Sequence, residues 1–168
     1  MALLLTLILS SLSCSGIDVS SEHPDGDRHE TYKSYLWLPA SEPGDLSRTQ
    51  EVSRIVLDTI ERAIHDELQA KGLVRVSSQD AGKADLFVTS TISITKNMRL
   101  NDPYYSFDRV RIVESGTLMI DLIDSKTKKL VWSGRGQTRI GSYPTMKQRQ
   151  TRARQVVHAI LAQYRPNS

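Results

Sequence analysis

The sequence predicts an α+β domain: a mostly antiparallel sheet with two amphipathic helices packed on one of its faces. Three observations carry that expectation. Runs of β-branched residues alternating with period two outnumber the helical stretches. Only two segments repeat apolar residues at i, i+3 and i+4. Those two segments bracket the longest run of strands, as happens when helices gather on one side of a sheet built from hairpins. At 168 residues the chain suffices for one domain with a real core, not for two comfortable ones.

The first thirteen residues stand apart from that domain. Ala2 to Leu9 form an apolar run, Ser10 to Ser13 are small or apolar, and Cys14 follows. The run falls short of the roughly 20 residues that span a bilayer as a helix. It has the length of a signal-peptide core ending at a cleavage site. The expected organisation is a signal peptide at 1–13 and a single envelope domain at 14–168, with a polar lead-in to about residue 30. Cys14 is the only cysteine, and it sits where a bacterial lipoprotein carries its acylated cysteine. A plain secretory cut before Cys14 is the alternative, since Ser11 and Ser13 also satisfy a small-x-small rule. Ser11 stands where lipoproteins prefer leucine, and the leader has no Lys or Arg. A lone cysteine excludes an intrachain disulfide framework, and no Cys/His spacing reads as a zinc site.

The elements follow in order. Ile17 and Val19 alternate within a polar stretch and suggest a short strand before a turn at Pro24 and Gly26. "TYKSYLWLP" reads as an early strand ending at Pro39. From Leu46 to Lys71, Val52, Ile55, Val56, Thr59, Ile60, Ala63, Ile64 and Leu68 mark one buried helical stripe. Ser47 or Asp45 can cap its start, and Gly72 stops it. Leu73 to Val76 is a short strand and "SSQDAGKA" a turn-rich connection. "DLFVTSTISIT" places Leu86, Val88, Ile92 and Ile94 on one face. After "RLNDPYYSF" a strand returns from about Val110 to Ile123, with Leu118, Ile120 and Leu122 inward, and Leu130 to Thr138 makes the next. Thr145 to Tyr164 is the second helix, striped by Ala153, Val156, Val157, Ile160, Leu161 and Tyr164.

The stretch "GTLMIDLIDSKTKKLVWSGRG", Gly116 to Gly136, mixes acids, lysines and a tryptophan, but reads as scaffold. Two antiparallel strands are joined by "DSKTKK", with Asp124 and the lysines in a wet turn and Trp132 expected on the sheet beside Trp37. Gly134 and Gly136 form a lone G-x-G at a strand end, not between a strand and a helix, so a phosphate loop is not expected. Asp121 and Asp124 point to opposite faces of their strand and make no acid/base pair.

Other candidates are equally bare. No two of the four histidines have ligand spacing, and His65, about 140° from Ile60 around its helix, is expected on the wet side. "EHPDGDRHE" stops two carboxylates into what a calcium loop would need. Ser133 lacks the leading glycine of a nucleophile elbow. No catalytic residue, metal site or cofactor is expected. The loop bearing Tyr104, Tyr105 and Phe107 reads as a contact surface, with covering of a sheet edge as the alternative. Charge is segregated. From Ser125 onward there are ten basic residues and no acid, so the first 124 residues carry a net −7 within a chain of +3. Lys147, Arg149, Arg152 and Arg154 form the expected basic face on the last helix, set against an anionic lipid or glycan or against acids of the first helix.

Three blocks, "YKSYLWLP", "IERAIHDELQAKGL" running into "ADLFVT", and "GTLMIDLIDSKTKKLVWSGRG" before the terminal helix, occur in an order that resembles the bacterial lipoprotein family called domain of unknown function 4136. The resemblance spans nearly the whole mature chain. It implies a cell-envelope lipoprotein, an α+β domain and no established catalytic residues. It also implies anchoring through acyl chains on Cys14, with Ser15 similar to residues that permit outer-membrane sorting. The expected role is a non-catalytic binding or structural module facing the periplasm, its partner an envelope protein, lipid or glycan. An exported enzyme whose site assembles only in three dimensions is the alternative, and a secreted or soluble periplasmic chain is the alternative location. Nucleic-acid binding conflicts with export. Family turns resembling "DSKTKK" read D-x-K-T-G-K, with glycine where this chain has Lys128. A left-handed backbone is therefore expected at Lys128, at a cost of about 1 kcal/mol relative to glycine.

Overall fold

The computed structural model describes residues 16–24, 32–39, 54–100, 110–140 and 144–166, without the side chains of 96–100 and 110–114. Along the chain run β1 (Ile17–Glu22), β2 (Ser34–Trp37), α1 (Arg54–Ala70), β3 (Val74–Val76), β4 (Leu86–Leu100), β5 (Val110–Asp124), β6 (Leu130–Ile140) and α2 (Met146–Leu161). The strands form one six-stranded sheet in the order β1-β6-β5-β4-β2-β3.

The fold class is α+β as expected, but the sheet is mixed rather than mostly antiparallel. β1–β6, β6–β5 and β5–β4 pair antiparallel, whereas β2 pairs parallel with both β4 and β3. The reason lies in the connections. α1 carries the chain from the end of β2 back to its start, so β3 enters in the same direction, as a crossover helix requires. The segment 77–85, with a 3-10 turn at Ser78–Lys83, then returns the chain past β2 to begin β4. Asp85 fastens that return. Its Oδ2 accepts hydrogen bonds from the Lys33 and Ser34 amides, both at 3.0 Å, and from Ser34 Oγ at 2.9 Å.

One face of the sheet carries the core. Leu86 and Val88 of β4, Leu118, Ile120 and Leu122 of β5, and Trp132 of β6 are buried with Ile60, Ile64 and Leu68 of α1 and the stripe of α2 from Ala153 to Leu161. The α2 stripe is the one the 3.6-residue period marks in the sequence. On α1 the expected stripe holds from Thr59 to Leu68, whereas Ile55 is exposed at the helix start and Val52, with the capping candidates Asp45 and Ser47, lies outside the described residues. Thr145 caps α2 in a reciprocal box, its hydroxyl accepting from the Gln148 amide while the Gln148 side chain accepts from the Thr145 amide.

Trp132 lies against Tyr164, ring centroids 5.3 Å apart, and not beside Trp37. That placement explains the G-x-G. A Cβ on Gly134 would strike the Trp132 ring and come within 2.5 Å of Ile160 Cγ2, and one on Gly136 would lie 2.8 Å from Ile160 Cδ1. The glycines let α2 settle onto β6 (close packing, not phosphate binding).

The β5–β6 turn also departs from expectation at one residue. Asp124 is not wet but buried, 5% exposed, and organises the turn from within. Its Oδ1 accepts from the amides of Lys126 at 2.9 Å and Thr127 at 2.6 Å and from Thr127 Oγ1 at 2.9 Å, while Tyr32 donates to Oδ2 at 3.3 Å. Burial works to raise the Asp124 pKa; the amide and hydroxyl donors outweigh it and hold the carboxyl below its usual 3.8. Lys128 has φ +60°, the left-handed backbone expected from the resemblance.

Candidate functional site

The length of the central β4–β5 pair creates a concavity. β4 and β5 each have fifteen residues, about 50 Å of extended chain, whereas the sixteen-residue α2 covers about 24 Å. The apolar face of the sheet therefore continues past the region where the helix packs tightly. Ile92, Ile94, Leu118 and Ile140 floor a groove of about 680 Å³ beside the N-terminal half of α2. That volume falls in the range of roughly 300–1,000 Å³ typical of small-molecule sites.

The helix supplies the other wall, and here its stripe changes character. Val156 and Ala153 face the sheet; four residues earlier the same positions are Arg152 and Arg149. Lys147 joins them; Arg139 of β6 borders the groove, but strand alternation sets its side chain with Gln137 on the face opposite Thr138 and Ile140. Three of the four residues expected as a basic face thus line one groove, while Arg154 is exposed and lies outside it. Among the described residues the lining includes no Asp, Glu, His or Cys. Among the described residues no ion pair engages Arg139, Lys147 or Arg149; Arg149 Nε donates to the Pro144 carbonyl at 3.4 Å. An apolar floor under a cationic rim suits an amphiphilic anion by shape and charge.

Titratable groups with displaced pKa values lie elsewhere. Tyr35, on β2, makes a short hydrogen bond with His65 Nδ1, and Arg75 on β3 reaches His65 Nε2 at 2.6 Å and Glu61 at 3.1 Å. A guanidinium only donates, so Nε2 accepts and the imidazole proton sits on Nδ1. Burial and the Arg75 charge lower the His65 pKa below 6.5, Glu61 and Asp66 opposing; burial pushes the Tyr35 phenol up to about 12. His65 is therefore not the simple surface histidine expected, since it ties α1 to the parallel strands. His158 pairs with Glu67 at 2.7 Å, a contact between α2 and α1 of the kind expected from the charge segregation.

Cys14, Tyr104, Tyr105 and Phe107 lie outside the described residues. No described helix is long and apolar enough to cross a membrane. Of the groove residues, Ile140 escaped sequence reasoning, because the expected strand stops at Thr138 whereas β6 runs on to Ile140.

Residues 19–166 match the family model described as Domain of unknown function (DUF4136). The chain belongs to this family. No curated protein matches it. Among solved structures, the DUF4136 chain is similar to PelC from Paraburkholderia phytofirmans, solved as a dodecamer. That match has 15% identity over 87% of this chain and 96% of that one, with a TM-score of 0.50. It is also similar to a PDZ domain protein from Parabacteroides distasonis, with 17% identity and a TM-score of 0.55, over 89% of this chain and 35% of that one. The DUF4136 chain thus spans about a third of that second protein's length. A minor lipoprotein from Acinetobacter baumannii matches at 12% identity over 79% of this chain and 88% of its own, with a TM-score of 0.43. At these identities the likeness to PelC and to the PDZ domain protein is one of fold.

Proposed function

We propose that this DUF4136 protein is an outer-membrane lipoprotein acylated on Cys14, whose domain is a non-catalytic binding module facing the periplasm. The observation that carries the reading is the position of the groove relative to the start of the domain. β1 pairs with β6 from Ile17↔Thr138 onward, and Thr138 Oγ1 donates to the Gly16 carbonyl at 3.4 Å. Thr138 also lines the groove. Cys14 is two residues before Gly16, a reach of at most about 7 Å. An anchor at Cys14 therefore holds the groove close to the bilayer. Two or more acyl chains hold stably, each buried CH₂ contributing about 0.8 kcal/mol. Apolar side chains on the floor and cations along one wall of the groove support a binding role.

Expression with the native leader, then intact-mass analysis of the N-terminus and detergent partitioning, tests this. The expected product begins at Cys14, carries acyl chains and enters the detergent phase. An unmodified Cys14 in the aqueous phase contradicts it.

A further inference from the structure

We infer that the groove between α2 and the β4–β5–β6 face takes one acyl chain of an anionic phospholipid, whose phosphate sits against Lys147 and Arg149. The inference deepens the reading above and rests on it for the source of the lipid, the membrane that the Cys14 anchor enters.

Three features select this ligand class. Ile92, Ile94, Leu118 and Ile140 make an apolar floor, and the hydroxyl of Thr138 beside them already donates to the Gly16 carbonyl, so the group lying on the floor is hydrocarbon. A glycan, with a hydroxyl on nearly every carbon, would set many of them against these apolar side chains. Among the described residues the rim has cations and no carboxylate, which favours an anionic head; a zwitterionic head would bring its own cation against guanidinium and ammonium groups. The guanidinium fork of Arg149 matches phosphate geometry, and the Lys147 ammonium adds a mobile point charge. The volume of about 680 Å³ accommodates one chain and leaves the second in the bilayer. Covalent reach from Cys14 to Gly16, hydrogen-bonded to the groove residue Thr138, puts the groove mouth where such lipids are. The anchor's own acyl chains are a poorer fit, because a diacylglyceryl group brings no anion to the rim.

The test uses the mature protein reconstituted in vesicles of phosphatidylcholine doped with one of two photoactivatable lipids. One is phosphatidylglycerol with a diazirine in one acyl chain; the other is phosphatidylcholine with the same chain. After irradiation, peptides are mapped by mass spectrometry. Labelling is expected on the segments bearing Ile94, Leu118 and Ile140, favouring the anionic probe at least about fivefold. The double variant Lys147→Gln, Arg149→Gln is expected to bring that preference below about twofold while thermal unfolding stays nearly unchanged, since Lys147 is exposed and Arg149 is only half-buried. Equal labelling by the two probes overturns the inference. So does labelling that avoids those segments, which would leave the groove to a segment of the chain itself or to another ligand. The N-terminal mass of the same sample separates the two claims. Groove labelling with an unmodified Cys14 removes the anchor and keeps the lipid site; an acylated Cys14 with no anionic preference removes the lipid site and keeps the anchor.

Discussion

The Lys128 ammonium lies 4.2 Å from the centroid of the Phe87 ring, directly over a neighbouring strand, although its own backbone is left-handed at φ +60°. Two effects of similar size oppose each other at this residue. The backbone costs about 1 kcal/mol against glycine. The cation on the ring returns about 0.5–1 kcal/mol at an exposed site.

Lys128→Gly alone is therefore expected to raise stability by less than the backbone cost suggests. In a Phe87→Leu background, where no ring faces the ammonium, the gain is expected to be about 0.5–1 kcal/mol larger. Urea unfolding of the four proteins in the cycle measures this. Identical gains in both backgrounds would show that the ring contact adds nothing.

Gly134→Ala is expected to destabilise the domain by about 1–3 kcal/mol, through overpacking against the Trp132 ring and Ile160. Gly136→Ala meets the ends of the Ile160 and Val156 side chains and is expected to cost less. Chemical denaturation ranks the two. A neutral Gly134→Ala would mean that α2 can lift from β6 freely.

His65 makes stability depend on pH near neutrality. Its folded pKa lies below the unfolded 6.5, chiefly through burial and then the Arg75 charge. Above 6.5 the imidazole is neutral in both states and its contribution is fully present. As pH falls below 6.5 the unfolded chain takes up the proton first, so stability declines until the folded pKa is passed. Urea midpoints between pH 8 and 5 are expected to fall more steeply for the wild type than for His65→Gln, which does not titrate. Parallel profiles would show that Arg75 and the Tyr35 phenol do not hold the ring neutral.

Much of this fold is legible in the residues. Ile60, Ile64 and Leu68 on α1, and Val156, Ile160 and Leu161 on α2, repeat at helical spacing because each helix buries one stripe. Leu118, Ile120 and Leu122 alternate because β5 buries one face. Strand direction is less legible. Tyr35 and Leu36 of β2 are buried whether their neighbours run parallel or antiparallel; only the β-α-β succession through α1 points to parallel pairing. Asp124 was misplaced because a turn acid is normally wet, and its burial depends on Tyr32, distant in sequence. The groove was half visible. Arg149 and Arg152 stand out where the stripe of α2 turns basic, but the apolar floor joins them only through the register of β4, β5 and β6.

The central claim, an anchored domain holding its groove end against the bilayer, is tested most directly by depth. An environment-sensitive fluorophore is attached at Gln137, beside the groove residue Thr138, or at Lys126 in the β5–β6 turn, about 30 Å away along β5. Both side chains are exposed. In vesicles carrying the mature protein, the label at Gln137 is expected to brighten and to be quenched by lipid-borne quenchers, while the label at Lys126 stays as it is in water. Equal responses at the two positions, or a stronger one at Lys126, would contradict the account.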